Sequence, residues 1–247
     1  MTLKSGLFGC VAISGLMAVA PGVFAQCMEA VLAPGKAGYS VCKDWPAYPG
    51  QTITAISQLE GDPAVENAYD EGMYDLALAV VPSDGGVPLA SYFRASLFSS
   101  DAIRFNGLSI DTARYTLTPQ VRAFGVRAEF RGSSRANPFG ETWLSLYVKE
   151  GKTLRPVLES LIVESHGGEW DTNCAGEFWE TRRTLEMAST RSHGYADLIV
   201  RSVASGSKST RKGEECEGIP STGKTVLTTL RYDGNQYVVI DGMKGKF

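Results

Sequence analysis

Apolar and polar residues alternate with a period of two along most of this chain, a spacing that fits strands and not helices. Eleven such runs cover residues 52–59, 74–81, 90–98, 113–117, 123–130, 142–148, 157–164, 178–187, 196–203, 225–232 and 236–240. In the first, Ile53, Ala55 and Leu59 share one face; Tyr74-Asp75-Leu76-Ala77-Leu78-Ala79-Val80-Val81 reads as a buried strand. Gly, Asn, Asp, Ser and Pro punctuate the runs, as in all-β sandwiches, barrels and propellers. Asp233-Gly234-Asn235 sits between two alternating runs and reads as a hairpin turn, because Gly and Asn accept positive φ. One short helix is expected at 63–69, capped by Asp62 and started by Pro63.

The first 25 residues read as an export signal. Lys4 gives a positive start, residues 7–20 are small and apolar, Pro21-Gly22 breaks the run, and Val23-Phe24-Ala25 suits a signal peptidase. Cleavage after Ala25 removes 25 of 247 residues and leaves 222. The apolar run is too short for a stable membrane span. Neither early cysteine suits lipidation: Cys10 has no room for a hydrophobic stretch before it, and Cys27 follows Gln26. A soluble periplasmic or secreted protein is therefore expected, with no membrane anchor. The net charge of −3 gives no basic excess for nucleic acid.

Cleavage leaves Cys27, Cys42, Cys174 and Cys216, an even set in an exported chain, so two disulfides are expected. Pairing sequence neighbours gives Cys27–Cys42 and Cys174–Cys216. No pair has the C-x-x-C spacing of metal or redox sites. The expected organisation is a signal peptide at 1–25, a disulfide-closed segment at 26–50 and an all-β domain at 51–247. The expected fold is a single domain of about eleven mostly antiparallel strands, propeller-like or sandwich.

Several motifs are rejected on context. Gly218-Ile219-Pro220-Ser221-Thr222-Gly223-Lys224-Thr225 matches a phosphate loop, but no strand precedes it and a strand pattern follows where a helix is needed. Ser205-Gly206-Ser207-Lys208 and Ser209-Thr210-Arg211-Lys212 match S-x-x-K, but their lysines lie in a polar stretch with nothing to keep them neutral. His166 and His193 read as turn residues. No catalytic residues are assigned. Asp171 and Glu177 flank Cys174, and Trp170 and Trp179 are placed to stack on a sugar or a partner; the plainer reading is a disulfide-tied loop over the core edge.

An internal echo links Gly72-Met73-Tyr74-Asp75-Leu76 with Gly194-Tyr195-Ala196-Asp197-Leu198, each G-x-x-D-L before a strand. It resembles the calcium-loop repeats of integrin-type and related bacterial propeller domains, in which Asp and Asn oxygens hold a hard cation. That resemblance implies calcium at Asn67, Asp70, Glu71 and Asp75. Tyr69 is a poor ligand in the first copy, and Ser189, Arg191 and His193 do not suit calcium in the second. The alternative is that Gly makes a turn and Asp caps it.

Exported bacterial proteins with this signature are also akin to periplasmic lysozyme inhibitors and immunity proteins, in which a Ser/Gly-rich loop enters the target's cleft. The polar stretch 205–218, read as an exposed loop, is similar to that loop, although the downstream tyrosine is absent. The resemblance implies a protein partner such as a peptidoglycan hydrolase or toxin, met through Ser205, Gly206, Ser207, Lys208, Arg211 and Lys212. A binding protein is preferred to an enzyme. The alternatives are an envelope hydrolase acting on a sugar polymer and a structural envelope protein.

Overall fold

The structure is a computed structural model and describes Cys27, Leu32, residues 36–61 and residues 71–246. The export signal, the expected helix at 63–69 and the candidate ligands Asn67 and Asp70 lie outside the described residues. Among the described residues twelve strands form one sheet: β1 (Gly38–Asp44), β2 (Gln51–Gln58), β3 (Gly72–Pro82), β4 (Ala90–Ser100), β5 (Ile103–Asp111), β6 (Phe124–Gly132), β7 (Phe139–Glu150), β8 (Thr153–Trp170), β9 (Gly176–Ser192), β10 (Tyr195–Lys212), β11 (Glu215–Thr222) and β12 (Val226–Leu230). All pairings are antiparallel except one parallel bridge, Ser91 to Thr153 between β4 and β8. No helix occurs among the described residues.

The sheet runs β1-β2-β3-β4-β8-β7-β6-β5 and rolls so that its ends approach. The Tyr39 hydroxyl donates to the Phe105 carbonyl at 3.2 Å, and Lys43 Nζ donates to the Ile110 carbonyl at 3.2 Å, joining β1 to β5. Inside the roll lies one core, rich in aromatics from Trp45, Tyr74, Phe98, Phe105, Phe124, Phe130 and Trp143. Phe98 stacks on Phe105 with centroids 4.7 Å apart, a geometry worth about 0.5–1.5 kcal/mol beyond area burial. A second core lies on the other side of β7 and β8. Leu144, Leu146, Leu158 and Leu161 meet Leu198, Val200 and Leu230 there, all fully buried. β7 and β8 thus serve both cores, and register shifts along their pairing turn successive stretches to different faces.

Both disulfides join sequence neighbours, as expected: Cys27–Cys42 and Cys174–Cys216. The boundary drawn at residue 50 falls inside the sheet, because β1 pairs along its length with β2. The runs at 113–117 and 236–240 contribute only isolated bridges, Thr116 to Arg122 and Tyr232 to Tyr237. The turn at Asp233 forms as expected, with Asp233 Oδ1 accepting from the Asn235 and Gln236 amides at 2.8 Å and Gly234 at φ 104°.

The two G-x-x-D-L copies share a local architecture. Gly72 (φ 140°) and Gly194 (φ 90°) enter their strands in a region open to glycine. Each Asp then sits at a register shift. Asp75 lies between the pairs Tyr74–Phe98 and Leu76–Arg94, and Asp197 between Ala196–Arg191 and Leu198–Met187. One Asp therefore faces three residues of the neighbouring strand, as in an extended bulge. Its carboxylate then accepts from a nearby donor: Asp75 Oδ1 from the Gln58 amide of β2 at 2.8 Å, and Asp197 Oδ2 from the Thr190 hydroxyl at 2.7 Å.

Candidate functional site

The far halves of β8, β9 and β10, with β11, extend past both cores as a four-stranded ribbon. No residue of β9 or β11 is buried. The polar stretch 205–218, expected as a loop, is instead paired strand. β10 and β11 match from Ser205–Thr222 to Lys212–Glu215 around a turn at Gly213. The sequence hides this because a strand wet on both faces has no apolar alternation. The ribbon's outer edge is blunted by Pro220, which has no N–H to offer another chain.

Register places Gly167, Trp179, Gly206 and Ser221 in one row across the four strands. Two positions toward the tip on the same face, Glu169, Glu177, Lys208 and Ile219 form the next row. Trp179 is 46% exposed, and its indole lies flat because Gly167 has no side chain: a Cβ there would sit 2.5 Å from Trp179 Cζ2. The opposite face repeats the device with Phe178 over Gly168 and His166 over Gly140. Each aromatic has one ring face fixed by a neighbouring backbone.

A groove of about 1150 Å³ runs over Trp179 between Lys208 and the segment carrying Ala136 and Pro138. That segment is fixed along β8, since Gly168 and Trp170 amides donate to the Pro138 and Ala136 carbonyls at 3.1 and 2.8 Å. A second groove of about 700 Å³ is bordered by His166, Arg182, Ser205 and Ser207. At the tip, Asp171 Oδ1 accepts from the Asn173 and Cys174 amides at 2.8 Å. The Asn173 amide first, then those of Cys174 and Ala175 and the charge of Arg211, hold the Asp171 carboxyl below its ordinary value. Cys174–Cys216 then ties the β8–β9 turn to β11.

The six residues expected to meet a partner thus share one strand. Ser205, Gly206 and Ser207 border the smaller groove and Lys208 the larger, with Arg211 and Lys212 at the tip. The cations are engaged locally: Lys208 with Glu177, Lys212 with Glu217 at 3.1 Å, and Arg211 with the charge of Asp171. Trp179 and its glycine cradle give the site its shape, and the sequence shows Trp179 only as an aromatic near Cys174. Both S-x-x-K matches lie on β10, where residues three apart point to opposite faces, so neither serine meets its lysine. The phosphate-loop match runs along β11 and ends just before β12, so a strand follows it and not a helix.

Of the calcium set, Glu71 and Asp75 are the described members, and both already have protein partners. Glu71 pairs with Arg104 at 3.0 Å, and Asp75 Oδ1 accepts from the Gln58 amide at 2.8 Å. Arg191 of the second copy donates to the Leu117 and Gly194 carbonyls. No group of three or more His, Cys, Asp or Glu suited to a metal occurs among the described residues. Comparison with known proteins found no matching protein family, no matching curated protein and no matching solved structure.

Proposed function

We propose that this is an exported binding protein of the periplasm or cell exterior, and that its ribbon enters the cleft of a protein partner, a peptidoglycan hydrolase or toxin, to inhibit it. One observation carries the reading: a long, paired, disulfide-tied ribbon stands outside both cores and presents an exposed, backed tryptophan. Such a ribbon adds little to core burial, while a preordered aromatic anchor loses little entropy on binding. Lys208, Arg211 and Lys212 supply cations for the catalytic carboxylates of a lysozyme-like enzyme. Their present ion pairs are exposed and weak, so exchanging partners costs little.

The test is inhibition. The purified, oxidised chain from residue 26 is added to a panel of muramidases and amidases clearing cell walls. The reading expects stoichiometric loss of activity for at least one enzyme, and its loss in W179A and in K208A/R211A with unchanged melting temperatures. Full hydrolase activity across the panel, or inhibition untouched by both variants, contradicts it.

A second reading, a sugar-polymer hydrolase, is favoured by one feature. Glu169 and Glu177 are direct cross-strand partners that line the groove beside Trp179, so two carboxylates share one face there, as glycoside hydrolysis requires. Glycan cleavage by the chain alone, abolished in E169Q, would establish it.

A further inference from the structure

The roll has a second opening, separate from the ribbon grooves. It measures about 540 Å³ and lies between the β4–β5 turn and the C-terminal segment that holds Gly242, Lys244 and Lys246. That size falls within the range of small-molecule sites, about 300–1000 Å³. Its walls are the edge of the aromatic core: Phe130 and Trp143, with centroids 4.1 Å apart, and Ile162. These three side chains are otherwise buried, so what exposure they keep borders a concavity.

The walls are fixed. Trp143 lies over Gly245, where a Cβ would sit 2.3 Å from its Cε2. The C-terminal segment is docked on β8 by the Ile162 amide donating to the Met243 carbonyl and the Gly245 amide donating to the Ser160 carbonyl, each at 2.8 Å.

The rim charges differ in how far they are already satisfied. Glu141 Oε2 accepts from Trp143 Nε1 at 2.7 Å, and the Arg183 guanidinium acts on the same carboxylate. Asp101 Oδ1 accepts from the Ile103 amide at 3.0 Å. Lys244 and Lys246 are exposed, and neither makes an ion pair or side-chain hydrogen bond with a described residue. Each acid already has a donor, whereas neither lysine ammonium is engaged by a described residue. An apolar, aromatic-walled pocket with two exposed ammonium groups at its mouth, unpaired among the described residues, complements a molecule with a flat apolar body and one anionic head.

We propose that this mouth is a binding site for a small amphiphilic anion of the aromatic-carboxylate class, its ring against Phe130 and Trp143 and its carboxylate at Lys244 and Lys246. The site does not depend on the ribbon's role. Calorimetric titration of the chain from residue 26 with naphthalene-2-carboxylate tests it, with naphthalen-2-ylmethylammonium as the charge-reversed probe. The expected results are one carboxylate site per chain, weaker binding of the ammonium probe, and about tenfold weaker carboxylate binding in K244A/K246A. A second variant, S99F, fills the opening from the β4–β5 side and is expected to abolish binding while far-UV circular dichroism and melting temperature stay unchanged. No binding at millimolar carboxylate, equal binding of both probes, or unchanged affinity in K244A/K246A overturns the proposal.

Discussion

Removing the Cys174–Cys216 bridge by C174S/C216S tests how the ribbon is held. The two cysteines are 42 residues apart in sequence, with Cα atoms 5.5 Å apart. Closing a loop of that length in the unfolded chain is worth about 4 kcal/mol by the chain-entropy relation, against about 3 kcal/mol for the 15-residue separation of Cys27–Cys42. The loss has a second, local part. β9 and β11 bury no residues, so beyond the bridge the tip is ordered by ladder hydrogen bonds, the Asp171 turn and exposed ion pairs rather than by a core. Urea unfolding followed by tryptophan fluorescence should show a loss of about 2–4 kcal/mol. Amide exchange should accelerate in peptides covering 171–176 and 209–222, while peptides around Leu144 and Leu146 change only through global unfolding. A stability change under about 1 kcal/mol together with unchanged exchange at the tip would refute the reasoning. The ribbon would then be ordered without its crosslink.

Other consequences follow from single contacts. L146A, at a fully buried position serving the second core, should cost about 2–5 kcal/mol in urea unfolding, whereas I219A, at an exposed position on β11, should stay within about 0.5 kcal/mol. D75A removes the carboxylate that accepts from the Gln58 amide and should cost about 1–2 kcal/mol by the same assay. G167V puts a side chain where the Trp179 ring lies, so it should raise tryptophan exposure to acrylamide quenching while the melting temperature changes little. The carboxyls of Asp111 and Glu150 lie below their ordinary values in the folded state. At Asp111 burial opposes the shift and is outweighed by the Ala113 amide and Arg127; at Glu150 the Arg155 hydrogen bonds lead. A lowered folded value gives stability that is present above the unfolded value and lost as pH falls through the folded one. Thermal stability should therefore hold near neutral pH and decline below about pH 4, with a shallower decline in D111N.

Much of the fold was legible because one face of most strands is buried. In β6 the apolar alternation and the burial alternation coincide, and β3 is an apolar run of strand length, so the sequence reports both strands directly. It failed where that coupling breaks. β11 is exposed along its whole length, and β1 has no fully buried residue, so neither carries an apolar alternation that marks a strand. β5 is interrupted by a register shift between Phe105 and Gly107, which displaces the alternation midway. The run at 236–240 alternates, yet it packs through Tyr237 and forms only a bridge, because side-chain burial does not require a ladder. The disulfides were legible from count and order. The site was legible only as residues: Ser205 to Lys212 were visible, but the row that sets Gly167 and Gly206 beside Trp179 depends on pairing between strands far apart in sequence. The two Asp bulges were visible as an echo, and their place at shifts in strand register became clear only from the pairing.

The most direct test of the central claim is affinity capture followed by footprinting. The oxidised, tagged chain from residue 26 is mixed with envelope extracts and culture supernatants, and the recovered protein is identified and returned for amide-exchange mass spectrometry. The account predicts one peptidoglycan hydrolase or toxin at stoichiometric yield, with protection concentrated in β9, β10 and β11 and recovery abolished in W179A. A partner that is not a wall-directed enzyme, or protection confined to the β1–β5 side of the roll, would contradict it.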